Sequence, residues 1–220
     1  WRRWTMVVSS LLALWGLAGF LIMNHVLVVD RPLPLPTSQF LPDGSGHVLD
    51  LGAGSGRATL MVLRARPEST VVAYDIYSGY WGINDNTPER LKRNAAAAGA
   101  GHRVEVQVGD MRELPFPDQT FDGAVSSFAI DHLRRDDVRK ALGEAARVLR
   151  PGGQLLIMNL RVDWWIRLAL PAIPGHGYFG RQQDAEWWRT AITEAGFDFV
   201  EQGTQPGTQY FLGRKRPATQ

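Results

Sequence analysis

The feature that most constrains the fold is an apolar strand pattern that runs directly into a glycine-rich turn and then into a helix. Residues 47–51 are followed by Gly52, Gly54 and Gly56, and a helical pattern begins at Arg57. Glycines let the backbone turn sharply and admit a ligand where a Cβ would collide, while a helix N-terminus presents free N–H groups and a partial positive charge. The unit suits a carboxylate or a phosphate, although tight packing of helix on strand also explains such glycines taken alone.

The spacing of the glycines argues against a dinucleotide site. A dinucleotide fingerprint has glycines at the first, third and sixth positions of the turn. Counted from Gly52, the sixth position is Arg57, and the third glycine stands at the fifth position, Gly56. NAD is therefore a poor fit.

Beyond the turn, short β-rich apolar runs alternate with helical patterns. Strands are expected near residues 47–51, 70–75, 103–108, 121–127 and 154–159, and helices near 57–66, 87–99 and 135–149. This alternation predicts a parallel sheet covered by helices. The C-terminal part differs, because a helix near 184–195 leads into strands near 197–202 and 208–213 that are joined by a short turn. We expect that last pair to be antiparallel.

Three further motifs lie at predicted strand ends. Asp75 ends the second strand, where an acidic side chain can accept both hydroxyls of a ribose, although a solvated charge is the alternative. Asp110 and Met111 follow the third strand and offer an acceptor for an adenine amino group beside a soft side chain that packs on a ring. Residues 151–153, Pro-Gly-Gly, lead into the fifth strand, and an ordinary turn explains them taken singly.

In their order and spacing, these motifs resemble the class I S-adenosylmethionine-dependent methyltransferases, especially the small-molecule branch that includes the quinone-biosynthesis C-methyltransferases. The resemblance covers residues 46–160. It implies an α/β, Rossmann-like fold with a seven-stranded mixed sheet, the last strand antiparallel and helices on both faces. The aromatic stretch from Tyr77 to Trp81 is longer than the family's usual segment after the ribose acid, and here the chain departs from the pattern.

The resemblance also implies S-adenosylmethionine as cofactor. The implied cofactor-binding residues all lie in the glycine turn or near strand ends: Asp50, Gly52, Gly54, Gly56, Asp75, Asp110, Met111 and Ser126. Asp50 and the glycines would border the methionine part, Asp75 the ribose, and Asp110 with Met111 the adenine. Ser126 would lie close to the reacting methyl group.

Candidate catalytic residues follow the fourth strand. Methyl transfer from a sulfonium depends mainly on holding the acceptor in line, so a general base is optional. For a protonated acceptor, Asp131 and His132 are the best-placed bases, at the carboxyl edge where open α/β sheets bind ligands. The alternative is that Asp131 caps the next helix and His132 lies on the surface. Asn159, at the end of the fifth strand, is a further candidate for orienting the substrate.

The N-terminal part of the chain predicts a membrane anchor, residues 1–30. Residues 5–29 contain no charged residue, and as a helix they would span roughly 37 Å against a hydrocarbon core of about 30 Å. A buried core helix and a signal peptide are the alternatives. Arg2 and Arg3 outnumber Arg31, which would place the large domain outside, whereas supply of S-adenosylmethionine favours the cytoplasmic side. We expect a single-pass membrane protein with a cytoplasmic catalytic domain.

Between the anchor and the domain, four prolines predict a stiff linker over residues 31–45, which leaves 46–220 as the methyltransferase domain. Residues 161–188 contain six clustered aromatic residues, a pattern that predicts a cover over an apolar substrate pocket, a membrane contact or ordinary packing. These residues are Trp164, Trp165, Tyr178, Phe179, Trp187 and Trp188.

The anchor and the aromatic cover together predict a small lipophilic acceptor, such as a quinone precursor, a lipid or a thiol. Nucleic acid is disfavoured, because the DNA amino-methylating enzymes of this fold carry Asn or Asp, two prolines and an aromatic residue after the fourth strand, and residues 126–129 read Ser-Ser-Phe-Ala. The absence of cysteine excludes thiolate metal sites, and no metal is expected. The alternative from another class is a non-catalytic membrane module that binds the cofactor or acts as a scaffold.

Overall fold

A computed structural model of the chain describes residues 1–26, 33–78, 85–161, 184–205 and 207–217. The helices in these ranges are α1 (Arg2–Leu21), α2 (Arg57–Ala65), α3 (Pro88–Ala97), α4 (Arg135–Val148) and α5 (Ala185–Glu194). The strands are β1 (His47–Leu51), β2 (Thr70–Asp75), β3 (Val104–Val108), β4 (Phe121–Ser127), β5 (Leu149–Leu160), β6 (Phe197–Gln205) and β7 (Thr208–Lys215).

The strands form one seven-stranded sheet in the order β3-β2-β1-β4-β5-β7-β6. The pairings from β3 through β5 are parallel, and β7 runs antiparallel to both β5 and β6. The predicted α/β fold, with its mixed sheet and C-terminal antiparallel pair, is confirmed. The direction of strand succession reverses between β1 and β4, and open α/β sheets bind ligands outside the carboxyl ends of the strands at such a switch point.

The fifth strand begins earlier than its predicted start near residue 154. Leu149 already pairs with Phe121, and the ladder resumes where Gln154 pairs with Gly123, so a step of two residues on β4 matches a step of five on β5. Gly152, with φ +79°, lies in this irregularity. The Pro-Gly-Gly turn therefore forms a bulge inside the strand, because residues on both sides of it find partners on β4.

Each face of the sheet packs against a different set of elements. Helices α4 and α5 cover one face, where Leu142, Ile157 and Trp188 belong to the same buried cluster. Helix α2 covers the β1 side of the other face together with residues from the segment before β1. Strands β1, β4 and β5 are almost wholly buried along their paired lengths, as expected of parallel strands covered on both faces.

The segment before β1 packs against the sheet. Phe40 is fully buried, and a Cβ on Gly123 would lie 3.0 Å from its ring, so that glycine makes room for it. Leu41 N donates to Gln154 Oε1 at 2.7 Å, and Arg66 Nε donates to Phe40 O at 2.7 Å. The described part of the proline-rich segment is thus held against the domain, while the domain boundary at residue 46 stays a prediction.

Helix α1 is long and apolar enough to cross a membrane, judged by length and composition, with a mean hydropathy of 1.7 in its best window. Its large apolar side chains are exposed, and Gly19 is its only buried residue. A π-helical turn, Ile22–Val26, continues it. Residues 27–29 of the predicted span lie outside the described residues.

Candidate cofactor-binding and active site

The glycine turn brings the end of β1 against the turn that follows β4. A Cβ on Gly52 would lie 2.2 Å from the Cβ of Ala129 and 3.1 Å from Cε of Met111, and Gly52 has φ +82°. Only glycine combines that left-handed backbone with so close an approach. Gly56 is the N-cap residue of α2. The turn thus places a helix N-terminus at the sheet's switch point, as the sequence predicts.

Asp50 is fully buried beneath this turn, and only one of its oxygens is satisfied. Thr59 Oγ1 donates to Oδ2 at 2.6 Å, whereas Oδ1 has no hydrogen-bond partner in the described part of the chain. Burial raises the pKa of Asp50 to about 7, although the hydrogen bond from Thr59 opposes that shift. A buried, half-satisfied carboxyl is costly, so this atom fits a cationic hydrogen-bond donor such as an amino group.

Asp75 lies at the end of β2 and braces the turn. Its Oδ2 accepts from Gly54 N at 2.9 Å, and its Oδ1 accepts from Tyr77 N at 2.6 Å. Each carboxylate oxygen keeps a further lone pair, so two ribose hydroxyls can still be accepted. The charge of Asp75 also contributes to the raised pKa of Asp50.

Asp110 and Met111 occupy the loop after β3. Arg112 holds the Asp110 carboxylate through Nε at 2.9 Å and Nη2 at 2.5 Å, and these hydrogen bonds lower the pKa of Asp110. Arg112 also reaches Asp137 of α4 at 3.3 Å. Met111 lies over Gly52, so the structure joins it to the turn, while an adenine contact by Asp110 stays a prediction.

Ser126 is fully buried inside β4. Its hydroxyl donates to Leu51 O at 2.8 Å and accepts from Ile130 N at 3.3 Å. It therefore ties the end of β1 to the 3-10 turn Ile130–His132. Direct contact of Ser126 with the cofactor stays a prediction, because main-chain groups already engage this hydroxyl.

Asp131 and His132 are half-buried in that 3-10 turn at the carboxyl edge. Helix α4 begins at Arg135 with Arg134 as its N-cap residue, so Asp131 does not cap it. Ala129, the residue before this turn, lies against Gly52, so the two candidate bases follow shortly after a contact with the glycine turn. Their catalytic role stays a prediction.

Several further residues at this edge are not among the sequence predictions. Thr59 supports Asp50 from the first turn of α2, a position that a strand–turn–helix pattern brings over the strand. Ile76 and Val108 are apolar yet 54% and 63% exposed, and Val108 pairs with Asp75 in the sheet. Apolar side chains left exposed beside a carboxylate suit a planar ring. An apolar residue directly after the ribose acid is the signal that points to Ile76.

Two more polar groups are buried near the turn. The hydroxyl of Tyr77 and Oδ1 of Asn86 have no hydrogen-bond partner in the described part of the chain. Asn86 Oδ1 lies 3.7 Å from where a Cβ on Gly54 would be. Burial, together with the charges of Asp75 and Asp50, raises the pKa of Tyr77. The turn is therefore surrounded by buried polar groups that a ligand can satisfy.

Most of the aromatic group after β5 lies outside the described residues. Of its members, Trp188 is buried and stacks on Phe211, and Trp187 lies under the guanidinium groups of Arg135 and Arg139. Packing therefore accounts for these two tryptophans. A separate crevice of about 550 Å³ opens at the opposite, amino edge of the sheet, away from the glycine turn.

Residues 48–153 match the family described as a methyltransferase domain. Over these residues the chain carries a class I S-adenosylmethionine-dependent methyltransferase domain. It is 31% identical over 114 residues to a demethylmenaquinone methyltransferase of Symbiobacterium thermophilum, a match that covers 51% of this chain and 42% of that relative. It is 28% identical over 182 residues to the ubiquinone/menaquinone biosynthesis C-methyltransferase UbiE of Paracoccus denitrificans, which covers 73% of this chain and 69% of the relative.

Solved methyltransferase structures share the fold. An O-methyltransferase family protein from Burkholderia thailandensis superposes with a TM-score of 0.64 at 18% identity, over 94% of this chain and 60% of that chain. An S-adenosylmethionine-dependent methyltransferase from Methanosarcina mazei gives a TM-score of 0.63 at 19% identity, over 84% of this chain and 99% of that one. The cofactor of this methyltransferase family is S-adenosylmethionine, and the glycine turn, the buried Asp50 and the half-buried Asp75 fit it.

Proposed function

We propose that this chain is a membrane-anchored enzyme that transfers a methyl group from S-adenosylmethionine to a small lipophilic acceptor at the carboxyl edge of the sheet. The observation that carries the donor side is Asp50, whose buried, unsatisfied oxygen lies under the glycine turn. The cofactor, when bound, supplies an electrophilic methyl group on a sulfonium. The residues of this chain bind it and hold the acceptor in line with that methyl group.

On the donor side, Asp50 Oδ1 would accept a hydrogen bond from the amino group of the cofactor. This bond would satisfy an oxygen that burial keeps away from water. Asp75 would accept the ribose hydroxyls while it keeps its bonds to the turn. Ile76 and Val108 would cover the faces of the adenine, with Asp110 and Met111 at its rim. These contacts account for one unsatisfied carboxyl oxygen and two exposed apolar side chains.

On the acceptor side, Asp131 and His132 would take a proton from the reacting atom. Asn159 is 1% exposed, and neither its amide nitrogen nor its oxygen has a hydrogen-bond partner in the described part of the chain. Strand alternation places Asn159 on the face of Ile157, toward α4 and α5, at the end of β5. An unsatisfied buried polar group costs about 1–3 kcal/mol, so this amide fits a role in orienting the acceptor.

The acceptor class is proposed from two supports. Helix α1 is long and apolar enough to insert in a bilayer, and the names of the relatives refer to demethylmenaquinone and to ubiquinone and menaquinone biosynthesis. Quinone precursors are lipophilic and reside in membranes. We therefore favour a quinol-like ring over lipids and thiols, with the domain on the cytoplasmic side, where the cofactor is made.

The test uses the full chain in detergent and two readouts. Titration calorimetry with S-adenosylmethionine should show binding that Asp75→Ala weakens and that Asp43→Ala, an exposed carboxylate at the opposite edge, leaves unchanged. Absence of binding by the parent chain would overturn the donor site. Demethylated cofactor should then accumulate with quinols in a panel that also holds phenols, thiols, lipids and water-soluble amines.

The turnover readout also separates an enzyme from a non-catalytic module, because both bind the cofactor but only the enzyme consumes it. Equal rates with water-soluble amines would contradict the lipophilic acceptor. Binding without turnover on any acceptor would favour the scaffold alternative.

A further inference from the structure

The segment between α1 and β1 is fastened to the half of the sheet formed by β5, β7 and β6. Glu201 of β6 accepts from Thr37 Oγ1 at 2.6 Å, from Gln39 Nε2 at 2.7 Å and from the hydroxyl of Tyr210 at 2.5 Å. These hydrogen bonds lower the pKa of Glu201, so the carboxylate stays charged and keeps its three donors. One side chain thus joins the segment to two strands.

The direction of the segment follows from the strand levels that it contacts. Gln154 bonds both Leu41 N and the carbonyl of Gln39 near the amino end of β5. Thr37 bonds Glu201, whose partner across the ladder, Leu212, pairs with Leu156, two residues further toward the carboxyl edge. The chain therefore descends from the carboxyl edge to the amino edge and enters the domain from the same edge as the glycine turn.

The residues before Thr37 continue this course. Leu33 and Leu35 are half-buried and pack against the cluster that contains Met158 and Tyr210. Met158 and Tyr210 pair with each other two positions nearer the carboxyl edge than Leu156. The same cluster also holds Val48, near the amino end of β1, so the position of Leu33 follows from the direction of the segment: continued for four residues beyond Thr37, that direction brings Leu33 toward the carboxyl edge.

The connection to the anchor is short. The helical turn after α1 ends at Val26 and the packed segment begins at Leu33, so seven Cα–Cα steps join them and span at most about 25 Å. A domain of this size is about 40 Å across. With α1 in a bilayer, the connection is too short for the domain to turn over and present its amino edge to the membrane.

We propose that the fastened segment holds the carboxyl edge toward the bilayer, so that the mouth of the site between Gly52, His132 and Asn159 opens on lipid and receives its acceptor from there. This inference rests on the proposed membrane insertion of α1. β5 ends at this edge, and the sequence after it contains Trp164 and Trp165, a residue type that collects at membrane interfaces.

Single-cysteine labelling tests the orientation, since the chain has no cysteine of its own. A fluorophore is attached to Arg134→Cys, exposed at the carboxyl edge, or to Glu68→Cys, exposed before β2 at the amino edge. The full chain is reconstituted in phosphatidylcholine vesicles that carry headgroup nitroxides. We expect quenching at position 134 to be several-fold stronger than at position 68.

A third label at Leu12→Cys in α1, read with acyl-chain nitroxides, reports insertion itself. An unquenched label there would overturn the proposed membrane anchor. A quenched label at position 12 with equal quenching at 134 and 68 would overturn the orientation alone.

Adding Glu201→Ala, with folding checked by circular dichroism, should bring the 134-to-68 ratio toward one. A ratio that stays unchanged in this folded variant would contradict the role given to the fastened segment.

Discussion

The buried carboxylate of Asp50 should lower the stability of the ligand-free chain, and this cost can be measured through its dependence on pH. The Asp50 carboxyl is fully buried, and burial raises its pKa from 3.8 to about 7. In the unfolded chain the group loses its proton near pH 4, whereas the folded chain retains it up to about pH 7. The folded state therefore binds the extra proton between these values, and stability falls as pH rises through that window.

The magnitude follows from the size of the shift. Each pKa unit is worth about 1.4 kcal/mol, so the cost reaches about 4 kcal/mol at pH 7, and about 2.5 kcal/mol of it accrues between pH 5 and pH 8. Asp50→Asn removes the charge and thus this dependence. The new amide N–H finds no acceptor where Oδ1 stood, which costs about 1–3 kcal/mol at every pH.

The free energy of unfolding of Asp50→Asn, taken relative to that of the parent, should therefore increase by about 2.5 kcal/mol from pH 5 to pH 8. At pH 8 the variant should be the more stable of the two. For a domain of this length, that increase corresponds to a relative change in Tm of about 5–10 °C. Scanning fluorimetry of the full chain in detergent at both pH values measures it, with Asp43→Asn as the exposed control. Parallel Tm profiles for Asp50→Asn and the parent would refute the buried-carboxylate reasoning.

Four further outcomes are expected. Affinity for S-adenosylmethionine, measured by calorimetry, should rise about eightfold from pH 6 to pH 7.5 as Asp50 ionises, and Asp50→Asn should be weaker and flat over this range. Gly52→Ala should lower Tm and abolish cofactor binding, since its Cβ would collide with Ala129 at 2.2 Å; an intact affinity would contradict the close approach. Asn159→Leu should raise Tm, because it removes the unsatisfied buried amide, and keep cofactor affinity but lose turnover; unchanged turnover would remove Asn159 from the acceptor site. His132→Gln should lower kcat by about 10²–10⁴-fold for an acceptor that must lose a proton, without changing cofactor affinity, and an unchanged kcat would leave His132 outside the chemistry.

The strands and the donor turn are predictable because their signals are local. A parallel strand buried on both faces is a short continuous apolar run, and a ligand-binding turn needs glycines next to it in sequence. The candidate role of Asp75 is also predictable from the sequence, because this residue is the last one of a strand. The start of β5 is not, because its first residues pair with β4 across a bulge that only the folded register reveals.

The packing of the proline-rich segment was not predictable from its composition. Prolines and polar residues describe a linker equally well whether it is free or fixed. What fixes this one are Gln154 and Glu201, which lie more than a hundred residues further along the chain. Phe40 is buried only because Gly123 leaves space for its ring.

The donor and acceptor sides of the site lie on opposite faces of the sheet. Asp50 and Thr59 are on the face covered by α2, whereas Asn159 is on the face covered by α4 and α5. The two sides meet only at the carboxyl edge, where the missing side chain of Gly52 lets the turns after β1 and β4 touch. Changes to the donor side should therefore act on cofactor affinity, and changes to Asn159 on turnover, because the two sets of side chains lie on opposite faces. The hydrogen bonds that fasten residues 37–41 go to Glu201 and Gln154, at a distance in sequence from Asp50 and Asn159, so the fastened segment can orient the site without altering either side chain.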